Sequence, residues 1–406
     1  MDQPLPSRGG PAPDRSAEDG ALGLIVELTR ALEHGHIRYC HWKSNEAIDR
    51  SASGENDLDL LVARADAGRF GEVLLRLGFK AARPARSREV PGLIDHYGLD
   101  LTSGRLVHLQ AHYQLVLGDD MTKNFRLPIE QEYLDTTPPG PLIRMPAPEF
   151  ELALFVVRMI LKHASWDAQL CRFGSLSSSE ERELAYLSRK VPGPDRAALV
   201  AERLPFLPVD LVERCLRSLE MQDARRARAS VARTLERTLM PLARRPRSID
   251  IPLRTVRRVL RGANHVLGKR AKKSLVAGGA LVAVTGDDGR TTSSVVDDLV
   301  GWLGSAFVVQ RFAFGEQVSS SARRTVYARA RRHTTNGGIA ICDQFGCIPV
   351  RGGADGGENI DAADVLVALE PNPEPGRRSG SSGAVDGSQP FDVLMLEVRS
   401  IVWAGL

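Results

Sequence analysis

The stretch GENDLDLLV, at positions 54–62, places two aspartates, Asp57 and Asp59, one residue apart within an apolar run. In a β-strand, residues two positions apart point to the same face of the sheet, so both carboxylates would project side by side. Two like charges held that close repel each other unless a cation lies between them. The spacing therefore predicts that Asp57 and Asp59 are the catalytic and metal-binding groups of a divalent-cation site.

A second polar group precedes this strand, in the run HWKS, which contains Lys43 and ends in Ser44, thirteen positions before Asp57. This layout resembles the polymerase-β-like nucleotidyltransferases, in which a short turn ending in Ser binds a triphosphate and the next strand supplies a D-x-D pair that holds Mg²⁺. Mg²⁺ prefers oxygen ligands and is usually held by one or two carboxylates together with substrate phosphates. The resemblance implies that Ser44 binds nucleotide, and Lys43 adds a positive charge for a phosphate.

The resemblance covers about residues 25–140. The runs YCHWKSN, GENDLDLLV, HYGLD and GRLVHLQAHYQLVLGDDMTKNFRLP are similar to bacterial nucleotidyltransferase-like domains that are often fused to a kinase-like domain. That superfamily normally has a third carboxylate on a neighbouring strand, in a pattern such as VDLH. Here the run is VHLQ, which puts His108 at this position, and Asp100 is the other candidate. A His with a pKa near about 6.5 can act as a base but is a poor Mg²⁺ ligand.

Other polar residues of this region have weaker interpretations. His96, His108 and His112 would match a zinc site by residue type, but His96 lies on a different predicted strand and no further ligand accompanies the other two. Lys123 and Asn124 follow the last strand of the region and either contact substrate or form a solvated turn.

A second candidate site lies in the run ALVAVTGDDGRTTSS, at positions 280–294, between a predicted strand and a predicted helix. A phosphate-binding loop there would read G-x-x-x-x-G-K-[ST]. The alignment keeps the two glycines Gly286 and Gly289 and the hydroxyl of Ser293, but it replaces the second required glycine by Thr291 and the lysine by Thr292. Arg290 is the nearby cation that could partly replace the lysine.

The C-terminal third, about residues 278–406, resembles thymidylate kinases whose catalytic positions have been lost. A strand of that family ends in Asp-Arg followed by an aromatic residue, and here the run is ICDQF, with Asp343 followed by Gln. The lid is reduced to GRRSGSSG, with Arg377 and Arg378 as the candidate arginines. The resemblance implies no phosphoryl transfer, and it leaves residual nucleotide or anion binding and a structural or regulatory role open. The candidate nucleotide-binding residues are Gly286, Gly289, Arg290, Thr292, Ser293 and Asp343.

The pattern of apolar residues predicts an α/β multidomain protein. After a disordered tail at 1–20, we expect a mixed-sheet domain at 21–145, a helical basic region at 146–273 and a parallel-sheet domain at 274–406. In the first domain the turn signal at 103–104 joins two strands into a hairpin. In the middle region Pro241, Pro246 and Pro252 predict several short helices.

Positive charge is concentrated in the middle region. Residues 222–273 contain 16 Lys and Arg against three acids, although the whole chain has a net charge of only +4. Such a segment is either a solvated helical face or a binding surface for an anionic partner, such as nucleic acid or an anionic membrane surface. Neutralising four arginines would test whether this segment binds an anionic partner: Arg254, Arg257, Arg258 and Arg261.

Composition limits the class of protein. The five cysteines contain no CxxC pair, which is typical of reduced thiols in a cytoplasmic protein, and no apolar run is long enough to predict a membrane span. The function expected from the sequence is Mg²⁺-dependent transfer of a nucleoside monophosphate from a nucleoside triphosphate to a hydroxyl or phosphate of an unknown acceptor. The alternatives are a non-catalytic nucleotide-binding regulatory protein, and a protein that binds nucleic acid or a membrane surface through its basic segment.

Overall fold

The structure is a computed structural model of the chain. It describes residues 20–138, 140, 142–163, 176–221, 225–266, 272–313, 320–343, 363–371, 373, 378–379 and 382–406. Residues 1–19 of the tail predicted at 1–20 lie outside the described residues, as do Gln344, Phe345 and Arg377 and the side chains of Asp343 and Arg378.

The N-terminal part of the chain forms a mixed sheet. In spatial order its described strands are β1 (Tyr39–His41), β2 (Leu58–Val62), β5 (Arg105–His112), β4 (Leu93–Asp100), β3 (Lys80–Arg83) and β8 (Ser274–Leu275). Strand β2 is parallel to β5, and every other neighbouring pair is antiparallel. The predicted hairpin of β4 and β5 is confirmed, and Asp57 lies one residue before β2.

Alternation along the strands separates an apolar face from a polar face. Helices α1 (Gly23–His34) and α3 (Ala67–Arg76) cover the apolar face, where they bury alternate residues of β2 and β5 in one core. Helix α1 approaches closely because Gly98 has no side chain, since a Cβ atom there would lie 2.7 Å from Leu24. The opposite face keeps its polar side chains, which include both aspartates of the D-x-D pair.

Two features of this region differ from the sequence prediction. The run RLVHLQAHYQLVLG, at 105–118, predicts one long second strand for the hairpin. This strand ends at His112, and the apolar residues after it form β6 (Leu115–Leu117), which pairs with β7 (Phe125–Leu127) in a separate ribbon. Strands β3 and β8 were not predicted, because each is short and β8 comes from a distant part of the chain. Two short helices, α2 (Ile48–Ala52) and α4 (Glu130–Asp135), complete the region.

The middle region is helical, as predicted. Its described helices share one apolar core: α5 (Pro148–His163), α6 (Ser178–Lys190), α7 (Gly193–Arg203), α8 (Val209–Glu220) and α9 (Arg225–Leu239). The long helix α10 (Arg247–Val266) follows. Pro241 and Pro246 lie between α9 and α10, but the expected break at Pro252 is wrong, because this proline lies inside α10.

The C-terminal part is built on a parallel sheet, as predicted. In spatial order its described strands are β10 (Val309–Ala313), β11 (Ile339–Asp343), β9 (Leu281–Gly286), β12 (Val365–Glu370), β14 (Ser382–Asp386) and the antiparallel β13 (Arg378–Ser379). Helices α11 (Gly289–Gly304) and α13 (Phe391–Gly405) pack on one face and α12 (Ser320–Thr335) on the other. The α/β class with one mixed and one parallel sheet is therefore confirmed.

The two sheets share a hydrophobic core. The ring of Tyr97, on β4, contacts Phe307 with centroids 4.8 Å apart, and the indole N–H of Trp403 donates to the carbonyl of Gly78 at 3.0 Å. Strand β8, which precedes the parallel sheet in the chain, pairs with β3 of the mixed sheet. The N-terminal and C-terminal parts therefore depend on each other for burial. Within the described part of the chain, no helix has the length and apolar character needed to cross a membrane.

Candidate functional site

The polar face of the mixed sheet brings several titratable side chains together in register. Asp59 on β2 lies opposite Gln110 on β5, which in turn lies opposite Asp95 on β4. His108 and His112, two positions to either side of Gln110, point to the same face. The alternation that the sequence predicted for this strand thus produces a row of polar groups across three strands.

His108 lies between two carboxylates, those of Asp57 and Asp95. Its Nδ1 lies 2.7 Å from Asp57 Oδ1, and its Nε2 lies 2.8 Å from Asp95 Oδ1. Lys273, from the segment before β8, places Nζ 2.9 Å from Asp95 Oδ1 and 2.8 Å from His108 Nε2. The imidazole also stacks on the Tyr97 ring, with centroids 4.5 Å apart. The sequence predicted His108 as a site residue, but it did not predict Asp95 or Lys273.

The charges around His108 change its proton affinity. Burial would lower the pKa of His108, but hydrogen bonds to the carboxylates of Asp57 and Asp95 outweigh burial, so this pKa is raised. Burial would raise the pKa of Asp95, but His108 and Lys273 hold it below the ordinary value. An imidazole flanked by two carboxylates therefore takes up a proton more readily than an isolated imidazole.

Asp59 is buried and is neutralised by its own set of partners. Lys43 Nζ lies 2.9 Å from Asp59 Oδ1, and His112 Nε2 lies 3.3 Å from the same oxygen. Burial would raise the pKa of Asp59, but Lys43 and His112 outweigh burial and hold it well below its usual value. Burial lowers the pKa of His112 and of His41, which favours neutral imidazoles beside this carboxylate. Asp59 is thus ionised at neutral pH, with Lys43 as its cation.

This donor set suits a metal ion that arrives with its substrate better than a resident one. No cluster of three or more His, Cys, Asp and Glu side chains suited to a metal ion occurs among the described residues. The position opposite Asp59 is the amide of Gln110, which also donates to Asp57 Oδ2 at 3.3 Å. Asp57 is half exposed and Asp59 faces the same side, so a Mg²⁺ whose other ligands are phosphates and water could bind both carboxylates once Lys43 leaves Asp59. The donor set thus suits a hard cation that arrives together with an anion able to take over Lys43.

The turn after β1 forms an anion-binding arrangement that already contains a carboxylate. Ser44 has a left-handed backbone, with φ of 61°, and its N–H donates to Glu183 Oε1 at 3.1 Å. The hydroxyl of Ser44 lies 3.5 Å from Glu183 Oε2, and Arg158 donates to Oε1 at 2.9 Å. The Nε atom of Arg158 is buried and has no hydrogen-bond partner among the described residues. A backbone N–H, a hydroxyl and a guanidinium together would equally bind a phosphate.

A second carboxylate supports the same turn. The backbone N–H of Asn45 donates to Glu151 Oε1 at 3.2 Å, within the core of the protein. Burial raises the pKa of Glu151 to about 7, although the hydrogen bonds from Asn45 act in the opposite direction. The charge beneath the Ser44 turn therefore changes close to neutral pH.

Asp100, the alternative third carboxylate, is not part of the polar row. It lies at the far end of β4 and is buried. Its oxygens accept hydrogen bonds from the backbone N–H of Leu24, at the start of α1, and from both the backbone N–H and the hydroxyl of Ser103, at 2.7–3.0 Å. Asp100 thus stabilises the hairpin turn and the first turn of α1, and the structure separates it from the other predicted site residues.

In the C-terminal sheet, the loop predicted to bind phosphate is closed by its own aspartate. Helix α11 begins at Gly289, three residues after Gly286, and Asp288 accepts hydrogen bonds from the backbone N–H groups of Arg290 and Thr291. The pKa of Asp288 is lowered, mainly by a hydrogen bond from the Thr291 hydroxyl and further by the two backbone N–H bonds. An ionised carboxylate thus occupies the positive end of this helix.

The other predicted residues of this loop either form hydrogen bonds within the protein or make no contact that indicates a ligand. The Thr292 hydroxyl is buried and donates to the Asp288 carbonyl at 2.9 Å, and the Ser293 hydroxyl accepts from Arg311 at 3.2 Å. Arg290 is exposed at the start of α11. The backbone of Asp343 ends β11, and its side chain lies outside the described residues.

The basic helix α10 turns several of its arginines towards the protein. Arg254 is only 6% exposed and lies 3.8 Å from Glu236, while Arg258 pairs with the buried Asp119. The interpretation of this segment as a solvated charged face is therefore wrong for these two residues. The outward face is mixed, because it exposes Arg247 and Arg261 together with apolar side chains at Ile249, Val256, Val259 and Leu260.

A cleft of about 880 Å³ opens beside the polar row. It reaches Asp95 and Gln110, and among its charged lining residues the basic side chains outnumber the acids Glu89 and Asp95: Arg83, Arg86, Arg88, Lys272 and Lys273. A substrate in this cleft would meet the sheet on the β3–β4 side, whereas Lys43 and Ser44 follow β1 at the opposite edge. The cleft therefore reaches the polar row from the β3–β4 side of the sheet.

Comparisons with protein-family models, with curated proteins and with solved structures find no match to this chain.

Proposed function

We propose that the N-terminal domain is a nucleotidyltransferase-like unit that binds a nucleoside triphosphate with Mg²⁺ and transfers the nucleoside monophosphate to a hydroxyl or phosphate acceptor, with release of pyrophosphate. The observation that carries this proposal is the row of Asp57, Asp59, His108 and Gln110 on one sheet face beside the Ser44 turn. Mixed-sheet topology and the two carboxylates support the same assignment as the sequence motifs.

Each residue of the row has a defined role in this reaction. Asp57 and Asp59 would hold Mg²⁺, which neutralises charge on the phosphates and activates the α-phosphorus for in-line attack. Lys43, 2.9 Å from Asp59 before nucleotide binds, would turn to a phosphate oxygen once the metal neutralises that carboxylate. The Ser44 N–H and hydroxyl would bind the outer phosphates.

His108 is the proton acceptor in this proposal. The acceptor oxygen forms a bond to the α-phosphorus, the bond to pyrophosphate breaks, and the proton of the acceptor hydroxyl moves to Nε2 of neutral His108, which requires Lys273 to leave that nitrogen. In its neutral form His108 can accept from Lys273 through Nε2, and in its protonated form it can donate to both Asp57 and Asp95. The carboxylates therefore stabilise the charged product of proton transfer.

For the C-terminal domain we propose a kinase-like fold that has lost phosphoryl transfer. Counted from Leu281, its parallel strands lie in the spatial order 2-3-1-4-5. The lysine of a phosphate loop is replaced by Thr292, and the carboxylate of Asp288 fills the helix end. Its support of the mixed sheet through Tyr97 and Phe307 favours a structural or regulatory role.

A non-catalytic nucleotide-binding regulator is the second candidate function. It is favoured by the carboxylate of Glu183 on the Ser44 turn and by the pairing of Asp59 with Lys43, because both contacts must exchange before a triphosphate can bind as proposed. Such a protein would bind Mg²⁺ and nucleotide without forming product.

Pyrophosphate release tests the proposed function. The full chain is incubated with each of the four common nucleoside triphosphates, Mg²⁺ and a mixed set of hydroxyl- and phosphate-bearing acceptors. Release that requires Mg²⁺, is abolished in Asp57→Asn and Asp59→Asn, and falls by about 100-fold or more in His108→Gln supports transfer. Saturable nucleotide binding without release under every condition would instead favour the regulator.

A further inference from the structure

A smaller cavity of about 270 Å³ adjoins the cleft beside the polar row. Four basic side chains line it, from Arg88, Lys123, Arg257 and Arg261, against the two acids Glu89 and Asp120. Cations gathered around a cavity repel one another unless an anion lies among them. The charge of the lining therefore favours an anionic ligand.

The arginines from α10 retain unused hydrogen-bonding capacity at this cavity. Arg257 donates through Nη1 to the carbonyl of Met121 at 2.8 Å, whereas its Nε is buried without a hydrogen-bond partner in the described part of the chain. Arg261 is exposed, and no described residue forms an ion pair with it. A fixed guanidinium beside a second, free one is suited to a tetrahedral oxyanion.

The third cation lies on a strained loop. Lys123 is a non-glycine residue with φ of 45°, and its ammonium is 3.1 Å from Asp120. The loop is held in place by Asn124, whose side-chain amide donates to the carbonyl of Arg245 at 3.0 Å. Backbone strain that the surroundings maintain is concentrated at ligand-binding sites. This loop therefore presents Lys123 to the cavity in a fixed conformation.

The cavity continues into the larger cleft. Both are lined by Arg88, Glu89 and Val90, and the larger one extends to Asp95 and Gln110 in the polar row. Neither lining includes Lys43 or Ser44, the residues proposed to bind the nucleotide phosphates. A ligand anchored in the small cavity can thus extend along the cleft to Asp95 and Gln110, which flank His108 in the polar row.

We propose that the cavity formed by Arg257, Arg261 and Lys123 binds a phosphate group of the acceptor, so that the acceptor is a phosphate-bearing small molecule whose nucleophilic group points along the cleft towards His108. The assignment to an acceptor rests on the proposed function. The phosphate site itself rests only on the cavity and its cations. The alternative source of the phosphate is the nucleotide, because Lys123 is close enough to Lys43 for their charges to interact.

The test is calorimetric titration of the full chain with inorganic phosphate and, separately, with each Mg²⁺–nucleoside triphosphate complex. The variants are Arg261→Gln, which changes an exposed residue, and Arg257→Gln/Arg261→Gln. The matched control is Arg233→Gln/Arg237→Gln, which removes two exposed arginines of α9 whose Nε atoms donate only within their own helix. Thermal unfolding verifies that each variant is folded.

We expect phosphate affinity to fall by about tenfold in Arg261→Gln and further in the double variant, with nucleotide affinity within about twofold of the wild type and no change in the control. Equal loss of phosphate and nucleotide affinity would assign the cavity to the nucleotide and overturn the acceptor site. Phosphate binding that is absent from the wild type, or unchanged in the double variant, would overturn the phosphate site. Phosphate binding that depends on these arginines, in a protein that binds no nucleotide, would contradict the proposed function and leave the phosphate site standing.

Discussion

The carboxylate of Glu183 accepts a hydrogen bond from the backbone N–H of Ser44 at 3.1 Å, across 139 positions of the chain. Arg158 donates to the same oxygen at 2.9 Å, so the carboxylate has the partners that a phosphate would have. In the proposed function, the side chain of Glu183 therefore competes with the triphosphate for the Ser44 turn.

Replacing Glu183 tests this competition. Glu183→Gln removes the negative charge and preserves the size of the side chain, so we expect Mg²⁺–nucleoside triphosphate to bind about three- to tenfold more tightly. Calorimetric titration measures the change. The control is Glu181→Gln, at an exposed position on the same helix. Weaker binding in Glu183→Gln would mean that this carboxylate supports the nucleotide site and does not compete with the ligand.

The raised pKa of His108 predicts a pH dependence of stability. A histidine whose pKa is higher in the folded state stabilises the protein at low pH, and this contribution is lost as pH rises through the folded-state pKa. Urea unfolding of the wild type and His108→Gln should therefore show the larger difference in unfolding free energy below about pH 6.5 and a smaller one above pH ~8. A difference that grows with pH would contradict the pairing of His108 with two ionised carboxylates.

Glu151 changes stability with pH in the same direction as His108. Its pKa of about 7 lies above the ordinary value, so the folded state binds the extra proton and stability decreases as pH rises towards 7. Glu151→Gln keeps an acceptor for the Asn45 N–H and removes the charge, so it should stabilise the protein at pH ~8 by up to about 3 kcal/mol and have little effect at pH ~4.5.

Urea unfolding at the two pH values measures this effect. Glu149→Gln, at a less buried position on the same helix, is the control for loss of a carboxylate, and it should change stability by less than about 0.5 kcal/mol at either pH. Equal effects of Glu151→Gln at both pH values would show that Glu151 does not titrate in this range.

The shared core predicts that the two sheets unfold together. Phe307 is fully buried against Tyr97, so Phe307→Ala should destabilise the protein by about 3–5 kcal/mol and shift the unfolding of both sheets in one transition. Leu101→Ala, at a side chain that is 66% exposed, should change stability by less than about 0.5 kcal/mol. Circular dichroism and tryptophan fluorescence follow the transition, and two separate transitions would contradict the coupling.

Local patterns predicted the parts of the site that depend on neighbouring residues. The alternation around Asp57 and Asp59 indicates one strand face, and the turn at Ser103 and Gly104 fixes the register of the hairpin. Counting back from that turn pairs Asp95 with Gln110, so the sequence contained a signal for Asp95 that residue type alone did not reveal. The sequence suggested Asp100 as a site residue because of its place on β4. It lies at the turn end of that strand, where backbone N–H groups donate to its carboxylate.

The remaining contacts depend on packing between distant segments. Lys273 reaches His108 across 165 positions, and it does so only because β8 pairs with β3. The inward arginines of α10 depend on buried acids such as Asp119, and no local pattern marks which face of a basic helix turns inward. Pro252 lies inside α10 although it lacks an N–H donor, so the position of a proline alone did not locate the helix ends.

The central claim is that Asp57 and Asp59 hold Mg²⁺ bound to a triphosphate, and calorimetric titration of the full chain with a nucleoside triphosphate, with and without Mg²⁺, tests it most directly. The account predicts saturable binding that requires Mg²⁺ and weakens by about tenfold or more in both Asp57→Asn and Asp59→Asn, in proteins that remain folded. Nucleotide affinity that is the same without Mg²⁺, or unchanged in both variants, would contradict it.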